Sequence, residues 1–497
     1  MPLFEMKDLK EKTIRGGFAR VVAQAANFVF RIGSLMVMAR LLDPQDFGLV
    51  GMVTAFTGVL SLFRDFGLST ATVQREEVSE EQLSTLFWIN VVVGIVLAAL
   101  ALVLAPVVVR IYHEPRLLGI TMLLSTGFLF NAVGVQHSAL LQRHMRFTAL
   151  AVINVASLVL STLVAITMAK FGYGYWALVA MTVTLPLTTT IGVWIAAAWI
   201  PGRPRRQVGI RSMMRFGGTL TLNGLVVYIA YNMEKVLLGR FWGAEAIGLY
   251  GRAYQLISLP TDNLNQSVGE VAFSALSRVQ NDPGRFRNYF LKGYSLVLAM
   301  TIPITLMSTF FADDLILVLL GPKWISAVPI FRLLAPTILI FGMINPLAWL
   351  MFALGLVNRS LKIALVLAPL VMAGYLAGLR YGPKGVAFGY SVVMTLWVLP
   401  HIAWCVHGTV VSLRDILVTV SRPLFSGLVG AGVAFGVHQL CVPLMPPLPR
   451  VVIAGIVLLS LYVGMLFYVM GQRAFYLNLL KEFRKRAPAG EGVLVPA

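Results

Sequence analysis

Charge is what this sequence has least of. Asp, Glu, Lys and Arg make up only 12% of its 497 residues, about half the share found in an ordinary soluble domain. What charge there is leans one way, with 21 acidic against 40 basic side chains. A chain so poor in solvated groups cannot cover a water-soluble globule of this size, which excludes a soluble enzyme or binding domain. Cysteine is almost absent. Cys405 and Cys441 each sit in apolar sequence, so a disulfide framework and a thiolate zinc site are both excluded. Histidine is scarce as well. His137 and His401 fall inside apolar stretches and His438 near the end of one, none with a partner at metal-ligand spacing, so no metal site is expected. No phosphate-binding loop or dinucleotide fingerprint occurs, which argues against nucleotide hydrolysis by this chain, and no cofactor is expected. Strand-type alternation is missing too, so an outer-membrane barrel is not expected.

What is present is hydrophobic sequence in long runs. Apolar residues make up 58% of the chain, and mean hydropathy is +0.82. Stretches long enough to cross about 30 Å of hydrocarbon run over 16–40, 46–66, 83–110, 117–141, 148–170, 174–200, 214–239, 245–270, 289–312, 325–354, 360–380, 385–408, 414–440 and 450–471. The reading is an all-α polytopic membrane protein of about fourteen transmembrane helices. Polar content makes 46–66 and 245–270 the weakest of these. The first run continues to Arg40 without a small-residue cleavage site, and is expected to be a retained span. Trp88, Trp176, Trp194, Trp199, Trp349 and Trp397 near span ends read as interfacial belts.

The net charge of +19 would suit nucleic acid if it formed one face, but it comes in short groups between spans. Alternate loops differ in basic content by roughly three to one. The rich set includes Lys7 to Arg15, Arg143 with Arg146, Arg203 to Arg211, Arg278 to Arg287, and Lys481 to Arg486. The poor set includes Arg40, Arg116, Arg240, Lys323, Arg380 and Arg450. The positive-inside rule then places both termini in the cytoplasm.

The chain also repeats itself. Arg40-Leu41-Leu42 and Phe47-Gly48-Leu49 recur 200 residues later as Arg240-Phe241-Trp242 and Ile247-Gly248-Leu249. Ala105 and Pro115-Arg116 recur at Ala312 and Pro322-Lys323, and Lys170-Phe171-Gly172 recurs as Arg380-Tyr381-Gly382. Matches in order with a slowly drifting offset predict two six-helix lobes, the internal symmetry of many transporters. The expected division is 1–208, 209–410, a trailing helix pair over 411–472, and a tail over 473–497. The linker between lobes is Pro201-Gly202-Arg203-Pro204-Arg205-Arg206.

Polar residues inside spans fall on stripes. Gln24, Asn27, Arg31 and Ser34 share one face of the first helix, and Asn223 and Glu234 share one of the seventh. On the eighth, Arg252, Gln255, Asp262, Gln266 and Glu270 cluster on one side. Such stripes are expected to line a water-accessible cavity. A charge at a helix centre is disfavoured by about 2.5–3.5 kcal/mol, so Arg31, Arg252, Arg332 and Lys235 need a reason to be there. Converging cations suit an anion, above all phosphate. Pairing with Asp65, Glu234 or Asp262 is the structural alternative. The carboxylates Asp65, Glu234, Asp262 and Glu270 are in turn candidates for coupling to a cation or proton.

The run Asn232-Met233-Glu234-Lys235-Val236-Leu237-Leu238-Gly239-Arg240-Phe241, continuing to Ile247-Gly248-Leu249-Tyr250 and Ala253-Tyr254, resembles the seventh-to-eighth helix junction of bacterial polysaccharide flippases. Ala39-Arg40-Leu41-Leu42, Asp46-Phe47-Gly48-Leu49 and Asp65-Phe66-Gly67-Leu68 resemble the same family. These are the Wzx-type exporters of the multidrug/oligosaccharidyl-lipid/polysaccharide superfamily. The resemblance implies two lobes around a central cavity plus two C-terminal helices. It implies transfer of an undecaprenyl-diphosphate-linked oligosaccharide across the inner membrane by alternating access, for exopolysaccharide, capsule or O-antigen synthesis. The partners it implies are the lipid-linked oligosaccharide, membrane lipids, and a polymerase and chain-length regulator of the same pathway, with no nucleic acid. Glu234 stands where such sequences often carry aspartate. Three other readings remain: a multidrug or cation antiporter of the same superfamily, a membrane polymerase or ligase, and a passive scaffold or scramblase. The first would call for carboxylates in place of arginines, and the second for a large external loop.

Overall fold

The computed structural model describes residues 27–64, 72, 78–204 and 211–476, and among them it is built of helices without strands. Helix α1 covers 27–41 and α2 covers Pro44–Ser61. Four long helices follow: α3 (Glu80–Tyr112), α4 (Leu117–Arg143), α5 (Phe147–Lys170) and α6 (Tyr175–Ala197). Arg211–Arg278 is helical except at Gly243, whose φ of 80° breaks it into α7 (211–242) and α8 (244–278). Glycine tolerates that left-handed conformation where other residues are strained. Then come α9 (Pro283–Phe310), short α10 (Ala312–Leu319), a 3₁₀ turn (Pro322–Ala327) and α11 (Val328–Leu334). After these come α12 (Pro336–Ala353), α13 (Val357–Leu379), α14 (Gly382–Val406), α15 (Leu413–Cys441) and α16 (Pro447–Gly464), the last continuing into a π-helical turn (Met465–Val469).

Helix starts are written in the sequence. Ser79 accepts from the Gln82 N–H at 3.2 Å while Gln82 Oε1 accepts from the Ser79 N–H at 3.1 Å, closing a capping box on α3. Ser412 and Asp415 do the same for α15, and Asp282 caps α9 by accepting from the Arg285 N–H at 3.0 Å.

Ten of the described helices are long and apolar enough to cross a membrane. The expected fourteen is not reached by that criterion. The shortfall is at α1, α2, α7 and α8, each helical where a span is expected. Two of these, α2 and α8, carry the polar content that makes 46–66 and 245–270 weak. The stretch 325–354 also differs from expectation. It breaks at Ala335-Pro336 into a 7-residue helix and an 18-residue one, because proline opens a helix more readily than it continues one.

Two compact units emerge. The first comprises the described part of Met1–Arg252 with Leu319–Ser326 and Ala368–Val386. In it α3 packs on α4, and α6 on both α4 and α5. Leu97, Ala98, Ala101 and Phe128 form a buried cluster. The second comprises the described parts of Ala253–Val318, Ala327–Leu367 and Ala387–Ala497. There α9 is flanked by α12 and α15, and α15 by α16. Gly427 faces Ile302 and Leu306 of α9, and Gly430 faces the Leu458 carbonyl of α16. Small residues let membrane helices approach closely in this way.

Candidate functional site

The corners that match in sequence meet in space, inside the first unit. A methyl group placed on Gly48 would overlap the Ala244 carbonyl oxygen, and one on Gly248 would overlap the Pro44 carbonyl oxygen. Gly48 and Gly248 are 200 residues apart, as are Pro44 and Ala244. The contact is therefore reciprocal, the pattern a two-fold repeat produces when equivalent surfaces meet. The α5–α6 and α13–α14 corners correspond as well. Gly172 and Gly382 both adopt positive φ, 82° and 70°. Asp46 of the first twin lies beside Gly174, while Trp242 of the second packs on Gly382 and donates its indole N–H to the Leu379 carbonyl at 2.8 Å.

This corner cluster holds one of the expected cations. The Arg252 guanidinium lies 4.1 Å from the centroid of the Phe47 ring. Phe47 in turn meets Trp324 edge-on at 5.3 Å, and the Trp324 indole donates to the Ala39 carbonyl at 2.7 Å. An aromatic face stabilises a desolvated guanidinium by about 0.5–2 kcal/mol, so Arg252 has a partner that no charge pattern would reveal. Lys323 closes the same edge through Asp43 at 2.8 Å.

The other cations part company. Arg31 is exposed on α1 and has no ion pair among the described residues, while Ser34, one turn on, is buried and accepts from the Thr162 hydroxyl at 3.1 Å. Asn27 of the same stripe is half-buried. Lys235 donates to Asn232 Oδ1 at 2.7 Å, one turn back on α7. Arg332, in the second unit, sits on α11 and is paired with Asp313. Arg64 was not singled out in the sequence. It reaches from the end of α2 to Asn131 Oδ1 of α4 at 3.2 Å, and its basic charge beside Asp65 is the only signal that could have marked it.

Among the carboxylates, Glu234 is 3% exposed and its Oε2 has no hydrogen-bond partner among the described residues. The phenols of Tyr112 and Tyr228 lie within its electrostatic reach, and Tyr228 donates to the Thr54 carbonyl at 3.2 Å. Asp262 is exposed and Gln255 half-buried, and both are engaged by neighbouring groups. Gln24 and Asp65 lie outside the described residues, as do the side chains of Asn223, Gln266 and Glu270. Structure thus brings Arg252 to Phe47 and Lys235 to Asn232, and leaves Arg31 exposed on the first helix without an ion pair among the described residues.

Comparison with known proteins fits this architecture. The family model described as "Polysaccharide biosynthesis protein" matches residues 37–329. The lipopolysaccharide biosynthesis protein WzxC of Escherichia coli K12 is 27% identical over 400 residues, 78% of this chain and 80% of its own. The teichuronic acid biosynthesis protein TuaB of Bacillus subtilis is 30% identical over 302 residues, 59% of this chain and 61% of its own. In fold, the chain is similar to the lipid II flippase MurJ in an inward closed conformation, with a TM-score of 0.72, 15% identity, and coverage of 94% of this chain and all of that one. An inward-facing multidrug resistance MATE transporter of the MOP superfamily follows with a TM-score of 0.63, 13% identity, and coverage of 81% of this chain and 99% of its own. With more than half its length matched by the family model, this multi-span membrane protein, built on a MurJ- and MATE-like fold, belongs to the polysaccharide biosynthesis protein family.

Proposed function

We propose that this protein is a flippase. It moves undecaprenyl-diphosphate-linked oligosaccharide from the cytoplasmic to the outer leaflet of the inner membrane by alternating access, without catalysing a covalent step. The observation that carries the reading is the likeness to WzxC across most of both chains. A relative named as the succinoglycan biosynthesis transport protein ExoT of Rhizobium meliloti, 22% identical over 63% of this chain, supports transport rather than polymerisation. The working division is into lobes 1–208 and 209–410, the pair 411–472, and the tail 473–497, with both termini cytoplasmic. Pathway polymerase and chain-length regulator are its partners.

Arg31 is the cation assigned to the diphosphate. It is exposed and carries no ion pair among the described residues, so its guanidinium can fork onto phosphate oxygens. Glu234, buried with a carboxyl oxygen that has no partner among the described residues, is the coupling carboxyl. Deletion should leave lipid-linked oligosaccharide on the cytoplasmic side. Arg31→Lys keeps charge without the fork and should export polymer at a reduced rate; Arg31→Glu should abolish export. Glu234→Gln should export at a rate indifferent to the transmembrane pH gradient. Normal export by Arg31→Ala at normal protein level removes the diphosphate assignment, and polymer export by the deletion strain removes the flippase reading.

A further inference from the structure

A second site lies within the first unit, where α3 begins and α4 and α6 end. The chain encloses there a cavity of about 360 Å³. Its floor is apolar, formed by the buried Leu83, Leu140 and Leu141. Among the described residues its rim is ionic, with Arg143 and Arg146 outnumbering Glu80. Both guanidiniums are positioned by the backbone. Arg143 donates to the Thr72 carbonyl at 2.8 Å, and Arg146 to the Ala196 carbonyl at 2.6 Å. A guanidinium has more N–H donors than a single carbonyl engages, so Arg146 can still bind an anion.

The wall is fixed by the segment that follows α6. Gly202 N–H donates to Ser84 Oγ at 2.9 Å, and the Trp88 indole donates to the Gly202 carbonyl at 2.9 Å. That lays the segment across α3 and sets Trp199 into the wall. Trp199 is held by His137, whose Nε2 donates to its carbonyl at 3.1 Å and whose ring stacks on Trp194 at 4.2 Å. Beside this cationic rim the chain bares apolar side chains: Met145, Ile195 and Ile200 are 59%, 76% and 83% exposed. In a multi-span protein such residues face hydrocarbon, so the cavity combines a basic rim with a lipid-facing flank.

We propose that this cavity binds the headgroup of an anionic phospholipid of the phosphatidylglycerol class. Its phosphate sits on Arg146, its headgroup hydroxyls donate to Glu80, and its acyl chains run along Met145, Ile195 and Ile200. The net positive rim disfavours a choline headgroup, and the apolar floor and flank favour a lipid over a free anion.

The test is native mass spectrometry of the purified full chain in detergent, comparing phosphatidylglycerol with phosphatidylcholine of the same chains. Arg146→Gln removes one charge-assisted bond and should reduce phosphatidylglycerol adducts about ten-fold. Ala197→Phe fills the cavity with every charge in place and should reduce them similarly. Arg146→Lys, retaining charge, should keep part of the binding. Monodisperse elution of each variant separates lost binding from lost folding. Equal binding of the two lipids by the parent chain overturns the proposal, and so does parental binding by both Arg146→Gln and Ala197→Phe. Soluble glycerol phosphate displacing the lipid would show that an anion alone suffices. Displacement by farnesyl diphosphate would give the site to polyprenyl diphosphates instead. Either displacement overturns the assignment. No transport is measured, so the outcome is independent of the flippase reading.

Discussion

Gly48 and Gly248 carry more of the architecture than their size suggests. Each lies against a backbone carbonyl of the opposite twin, and a carbonyl in a packed corner cannot rotate aside as a long side chain can. Gly48→Ala or Gly248→Ala should therefore destabilise the protein by about 1–3 kcal/mol, the usual range for overpacking. The double variant should cost less than the sum, because one separation of the corners relieves both overlaps. Thermal unfolding in detergent, followed by tryptophan fluorescence, reads this directly, and a parental midpoint for either single variant would show that the corners are not in that contact. Sequence marks these glycines through their common offset. It also places Arg31 and Arg252 alike as costly charges inside spans. It does not separate them, because hydropathy weighs a charge by depth and is silent about the aromatic face beside it. Phe47 against Arg252 is a tertiary fact, and so is the burial of Glu234 near the phenols of Tyr112 and Tyr228.

At the scale of elements, helix starts were legible wherever a side chain closes the first turn, as at Ser79 with Gln82 and Ser412 with Asp415. The break at Pro336 was available in the same way, but averaging hydropathy across 325–354 hid it. The docking of the α15–α16 pair was not legible. In the second unit Asp314, 4% exposed, accepts from His438 Nε2 and from the Arg450 guanidinium, both at 2.7 Å. Those three residues lie on three helices or their ends, 124 and 136 residues from Asp314 in the chain, and no local pattern joins them. Asp314→Ala would leave Arg450 buried without its counter-charge, a loss of about 3–5 kcal/mol. Its expected signature is a lower amount of inserted protein and easier proteolysis within 442–449. Replacing Asp314 and Arg450 together by apolar residues should recover part of the loss, and failure to recover any would mean that the pair is not what docks the hairpin.

At the scale of the whole molecule, the question is which way the helices run through the membrane. The basic groups at Arg143 with Arg146, Arg203 to Arg211 and Arg278 to Arg287 are expected in the cytoplasm, and the corner cluster, at the C-terminal ends of α1 and α3, is then expected on the opposite face. Phe241 is 64% exposed beside Gly243 in that cluster, whereas the Arg285 side chain is 75% exposed at the start of α9. One helix, α8, separates the two positions. In a chain whose Cys405 and Cys441 are replaced by serine, Phe241→Cys should react with an impermeant thiol reagent applied to intact cells. Arg285→Cys should react only after the membrane is permeabilised. Phe241 is the better probe than Trp242, whose indole is bonded to Leu379. Reversed labelling would turn the protein over and place the Arg143–Arg146 cavity in the outer leaflet. It would also reverse the direction in which a diphosphate meeting Arg31 is carried. Labelling of both from one side would instead break the count of crossings between α7 and α9, and with it the repeat that relates Gly48 to Gly248.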